Sequence, residues 1–138
     1  MMKDISFLFA LIGITIGFFF GEIDALLTAL TIIIVMDYFS GVIKAIIKGK
    51  LSSEIGYKGI LKKICIFAIV GLANIIDTVF IGNGSSFRTA TILFYLANEG
   101  ISILENFADI GVPLPSQLTN ILKQFKKIGN KDNNEKNK

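Results

Sequence analysis

Between Arg88 and Asp109 the chain sets out a line of groups able to do chemistry. On an α-helix turning about 100° per residue, Arg88, Thr91, Tyr95, Asn98, Glu99, Ser102, Glu105, Asn106 and Asp109 fall within an arc of roughly 120°. The rest of that surface is almost wholly apolar: Ile92, Leu93, Leu96, Ala97, Ile101, Ile103, Leu104, Phe107 and Ala108. A stripe of carboxylates, amides and hydroxyls can hold water and line a wet path. It can also do no more than pack against neighbouring helices or lie flat at an interface, and the spacing alone leaves both roles open. Two further carboxylates, Asp37 and Asp77, and the amide of Asn74 stand inside apolar runs. An ionised group facing lipid near the midplane costs at least about 2.5–3.5 kcal/mol, so each needs a protein partner or water. For Asp37 the alternatives are a functional carboxylate or a neutral, hydrogen-bonded structural one.

Enzyme chemistry finds little support. Histidine is absent and Cys65 is alone, which removes the usual zinc sets, the Cys/His and Ser/His/Asp nucleophile arrangements and any intrachain disulfide. Asp37 follows Val35-Met36 and Asp77 follows Ile75-Ile76, without the glycine-rich approach of intramembrane aspartyl proteases. The expectation is no catalytic residue, no metal and no cofactor. A proton relay through Asp37, Asp77 and Glu99 stays open on chemistry alone. Cys65 reads as a small apolar filler.

The elements that must position these groups are membrane helices. A chain of 138 residues with 52% hydrophobic content and mean hydropathy +0.64 cannot hide runs such as Ile5–Phe20 and Leu26–Met36 inside a soluble domain of this size. The fold class expected is an all-α integral membrane protein with about four transmembrane helices in two hairpins (about 5–21, 25–47, 64–81 and 88–109, within a domain 1–115). A C-terminal interfacial amphipathic helix over 116–128 and a disordered basic tail over 129–138 complete the chain. The first apolar run lacks a small-x-small cleavage site and reads as a retained span. It carries Gly13, Gly17 and Gly21 at i, i+4 and i+8, a groove where another backbone can approach, although glycine is also simply common in membrane helices.

In the second span Asp37, Gly41, Lys44 and Lys48 share a narrow face, and Gly41 joins the helix-packing set. Residues 48–63 read as a loop rich in lysine, with Ser52 or Ser53 capping a short turn. Lys44, Lys48, Lys50, Lys58, Lys62 and Lys63 against a single Glu54, in a chain of net charge +3, place it in the cytoplasm and with it both termini. Asp77 at the outer end of the third span is expected to pair with Arg88, and Asn74 to meet Asn98 at mid-depth. After Gly111-Val-Pro-Leu-Pro115, the residues Leu118, Ile121, Leu122, Phe125 and Ile128 oppose Lys123, Lys126 and Lys127. That face suits anionic lipid, or the protein's own cytoplasmic loop. The basic excess beside apolar spans fits a membrane surface and not nucleic acid.

Three blocks carry a resemblance. Met36-Asp-Tyr-Phe-Ser-Gly-Val-Ile-Lys-Ala45 is the first. Leu51-Ser-Ser53 with Gly56, Lys58-Gly59 and Lys62-Lys63 is the second, and Asn98-Glu-Gly-Ile-Ser-Ile-Leu-Glu-Asn106 with Gly111-Val-Pro-Leu-Pro115 the third. In order and spacing, over about residues 36–122, they resemble phage holins of the toxin-secretion and phage-lysis type, including clostridial toxin-release holins. The resemblance implies a multi-pass protein of the bacterial inner membrane that assembles with itself into a lesion. Through that lesion a cytoplasmic endolysin or a protein toxin crosses. An antiholin is implied as a further partner. The rival readings are an antiholin, which silences such a protein, and a small selective channel or transporter. Adjacent Met1 and Met2 make the dual-start regulation of many holins a poor match here.

Overall fold

The computed structural model describes residues 2–82, 84–121 and 123–124. Among them every regular element is helical: α1 (Met2–Phe20), α2 (Ala25–Ile47), α3 (Ser53–Ile76), continued by a π-helical turn over Asp77–Ile81, and α4 (Ser86–Asp109). Residues 116–121 and 123–124 are helical as well. Three stretches are long and apolar enough to cross a membrane, Lys3–Phe20, Ala25–Ile47 and Ser53–Ile81. At 1.5 Å per residue the 24 residues of α4 reach ~36 Å, but Arg88, Glu99, Glu105 and Asp109 lower its mean hydropathy.

Local chemistry sets the helix ends. Asp24 caps α2, its Oδ1 accepting the Leu27 N–H at 2.9 Å, and Ser52 caps α3 by accepting the Ile55 N–H at 3.2 Å. That second cap starts α3 well before the expected position 64. Lys58, Lys62 and Lys63 therefore stand on a helix and not in a loop. At the far end of α3 the π-helical turn admits one extra residue per turn. There the Asp77 carboxylate accepts the N–H groups of Phe87 at 3.1 Å and Arg88 at 2.8 Å, capping α4 where the Ser85 side chain does not. Gly21 ends α1 with φ +73°, and a Cβ there would fall 2.6 Å from Asn74 Oδ1.

The packing departs from two sequential hairpins. α1 and α2 follow one another without packing together; α1 rests on α3 and leaves residues 3–18 exposed. The Phe19 ring lies where a side chain at residue 71 would be, so only Gly71 admits it. The chief partner of α2 is α4. The reason is chemical. α2 offers Asp37, Ser40 and Gly41 to the polar arc of α4, whereas the middle of α1 has no charged side chain and its one hydroxyl, Thr15, donates to the Leu11 carbonyl of its own helix. Leu27, Leu30, Ile34, Ile66, Val70 and Ile92 form the buried core, with Phe20, Phe67, Tyr95 and Leu96 around it. Cys65 is exposed on the outer side of α3, a correction to the filler role, because Ile66 and Val70 take the inward face.

Candidate functional site

Two polar clusters sit at opposite ends of this core. The first lies toward the α2–α3 connection, where most of the lysines are. Lys63 Nζ, on α3, bonds at once to Asp37 Oδ2 of α2 and to Glu99 Oε2 of α4, so one ammonium ties three helices. One step toward the end of the bundle, Asn106 Nδ2 donates to Ser40 Oγ at 2.9 Å and to Asp37 Oδ1 at 3.4 Å. Its Oδ1 accepts from Lys44 Nζ at 3.3 Å, and Lys44 also pairs with Asp109 at 2.6 Å. Gly41 faces Asn106 and leaves room for the amide. Isolated charges in an apolar interior are strongly unfavourable, and this ladder gives each one an opposite partner.

A cavity of about 460 Å³ opens beside the ladder. Asp37, Lys63, Glu99, Ser102 and Asn106 form its polar side, Val42, Ala45, Leu51, Ile55 and Ile66 its apolar side, and Lys62 also lines it. Between α2 and α3 its wall is backbone at Gly56 and Gly59, covered only by the Tyr38 ring.

The second cluster lies at the other end, around Arg88. Its guanidinium donates to Asp24 Oδ2 at 2.7 Å, to the Glu22 carbonyl at 2.7 Å and to the Phe20 carbonyl at 2.8 Å. The planar fork suits several acceptors at fixed angles, and the side chain is only 4% exposed. The expected Asp77–Arg88 ion pair is thus corrected. Asp77 binds the backbone of α4, and the carboxylate facing the guanidinium belongs to Asp24. Arg88, with the Leu27 N–H, holds the Asp24 carboxyl below the usual aspartate range. Asn74 is buried but does not meet Asn98. It donates to the Phe18 and Phe19 carbonyls at 3.0 and 3.2 Å, since the end of α1 and not α4 lies beside it. Among the described residues no buried side-chain polar atom lacks a partner.

The arc on α4 is therefore divided. Glu99 and Asn106 are buried in the ladder; Thr91, Tyr95, Ser102 and Glu105 are half-buried; Asn98 faces outward. Among the described residues, nothing beyond their own helix lies within 4 Å of the side-chain positions of Gly13 and Gly17. Lys123 is exposed, while Lys126 and Lys127 lie outside the described residues. Lys63, Asp24, Ser40 and Tyr38 are site residues that sequence reasoning passed over. The need of Asp37 and Glu99 for a buried cation was a signal that a lysine of the basic stretch turns inward, without showing which one. No ring nitrogen or thiolate joins either cluster, and no group of metal-binding side chains occurs among the described residues.

The bacteriophage holin family matches residues 14–127. An uncharacterized protein of Listeria innocua is 46% identical over 113 residues, 82% of this chain and 80% of its own length. One from Clostridium perfringens is 42% identical over 114 residues, 83% and 86%. A protein of Bacillus phage phi105 described as a probable holin is 41% identical over 106 residues, 77% of each chain. No solved structure matches. With a match across most of its length and relatives this similar, the chain belongs to the bacteriophage holin family.

Proposed function

We propose that this protein is a holin that crosses the bacterial inner membrane four times, with both termini in the cytoplasm. It assembles with itself into a lesion through which a cytoplasmic endolysin or a protein toxin reaches the cell wall. The family is not an enzyme family, and the chemistry asked of the chain is physical: to keep a polar surface hidden and then to present it to water. The observation that carries this reading is the ladder Asp37–Lys63–Glu99 with Asn106 and Ser40, a charged seam satisfied between three helices of the bundle. In the closed state the seam is paired within each copy. Once enough copies gather, the stripe of α4 turns toward an aqueous interior, and Thr91, Tyr95, Ser102 and Glu105 line it with the seam residues.

The N-terminal helix, exposed over residues 3–18, and its Gly13/Gly17 face supply the lateral contacts between copies. The C-terminal amphipathic segment with Lys123, Lys126 and Lys127 rests on anionic lipid. A fall in membrane potential biases the change, because each charge moved across the full field shifts the energy by about 2.3 kcal/mol per 100 mV.

Expression in a bacterium together with a cytoplasmic cell-wall hydrolase tests this. The expected outcome is abrupt loss of potential and release of the hydrolase, with timing altered by Glu99→Leu. Expression without lethality, or small saturable conductances without protein release, would overturn it in favour of an antiholin or a selective channel.

A further inference from the structure

The two clusters differ in what they hold, and the difference assigns a direction to opening. Resting on the holin reading above, we propose that the bundle parts from the end bearing the α2–α3 connection. In this scheme Lys63 is the point of release and the Arg88 cluster is a pivot that stays closed.

Three observations point the same way. The first is the kind of partner. Arg88 binds two main-chain carbonyls and the cap residue of α2, and its own N–H is held by Asp77. The two carbonyls cannot swing away without unwinding the end of α1 or shifting the turn after it, and the Asp24 carboxylate is held a second time by the Leu27 N–H. Lys63 instead bonds the tips of two side chains, from the end of a flexible four-carbon stem. Rotamer changes alone can break or remake those contacts.

The second is the surroundings. The 460 Å³ cavity adjoins Lys63, so water has a place to enter as the bridge breaks, and freed carboxylates can be hydrated there. Arg88 does not line that cavity, and its side chain is only 4% exposed.

The third is the wall between α2 and α3 on the cavity side. Gly56 and Gly59 give no side chains to interlock with α2, and the Tyr38 ring lies directly over them. Farther along, Leu27, Leu30, Ile34, Ile66, Val70 and Ile92 close tightly together. The end bridged by side-chain tips beside the 460 Å³ cavity separates before the end tied through main chain, where a smaller cavity of about 310 Å³ lies against Phe20, Leu27 and Phe67.

The test uses the full-length chain in living cells with Cys65→Ser as background and a thiol reagent admitted to both faces of the membrane. Ala45→Cys reports on the cavity, and Ala73→Cys on the packed end beside Asn74. Labelling of Ala45→Cys is expected to rise severalfold at the onset of permeability while Ala73→Cys stays near its starting level. Lys63→Met, with membrane accumulation checked by immunoblot, is expected to bring onset forward, and Lys63→Arg to restore the normal timing. Permeability with equal labelling of the two positions, or with Ala73→Cys first, would overturn this order of opening and leave the holin reading in place. Absence of permeability altogether would overturn both.

Discussion

The Arg88 and Lys63 clusters solve the same problem with different hardware. Each brings charge into an apolar bundle and supplies every group with a partner. At Arg88 the solution is built from a planar fork, main chain and two carboxylates, Asp24 and Asp77, that also cap helices, and it fixes three helix ends: the close of α1, the cap of α2 and the start of α4. At Lys63 it is built from side-chain tips alone, and it joins three helices partway along their length, beside a cavity. The first arrangement has one geometry. The second has alternatives, and a protein that must be silent and later open needs both kinds of joint.

Arg88→Leu is expected to have the largest effect. It leaves the Phe20 and Glu22 carbonyls without their donor and Asp24 with only the Leu27 N–H, and each acceptor stranded in this way costs about 1–3 kcal/mol. The full chain in detergent should lose its cooperative thermal transition or fail to accumulate.

Lys63→Met is expected to destabilise less, about 1–3 kcal/mol, because Asp37 and Glu99 can take water from the adjoining cavity. A thermal melt read by circular dichroism measures it, and adding Glu99→Gln should recover part of the loss. A loss equal to that of Arg88→Leu would erase the distinction between the two ends.

Asn74→Leu comes next, with about 0.6–2 kcal/mol for its bonds to the Phe18 and Phe19 carbonyls. Faster proteolysis at the α1–α2 turn would show that α1 has come loose. Asn98→Leu faces outward and should change stability by less than about 0.5 kcal/mol, a control for the polar arc.

The smallest effect is on pH. The Asp24 carboxyl sits below its ordinary range when folded, so its contribution is full above the ordinary aspartate value. It is lost as pH falls through the depressed folded value. A melt series at acid pH should show this loss, and Asp24→Asn should flatten it. The Arg88 end is expected to be indifferent to pH near neutrality.

Much of this arrangement was legible before any coordinates. The helical class follows from long apolar runs, and the polar arc of α4 from simple periodicity. Asp37 stood out because a carboxylate in such a run demands an explanation. The partners were less legible, for physical reasons. Lys63 looks in sequence like any other lysine of a basic stretch. Only the early cap at Ser52 puts it on a helix, and only the pairing of α2 with α4 brings two carboxylates to it. Arg88 had a carboxylate much nearer in sequence, Asp77, yet that group was taken up by the open N–H groups of α4. Nothing in the spacing foretold that α1 would lean on α3, because an evenly apolar helix does not declare a side.

The central claim is that the stripe on α4 is hidden by neighbouring helices while the assembly is closed and wetted when it opens. Ser102 is the residue to ask, since it is half-buried, lines the cavity and takes no part in the charge ladder. With Ser102→Cys in a Cys65→Ser background, labelling by a membrane-impermeant thiol reagent should be low before lysis begins and rise sharply at its onset. Labelling that never rises, with the reagent shown to reach both faces of the membrane, would contradict the account.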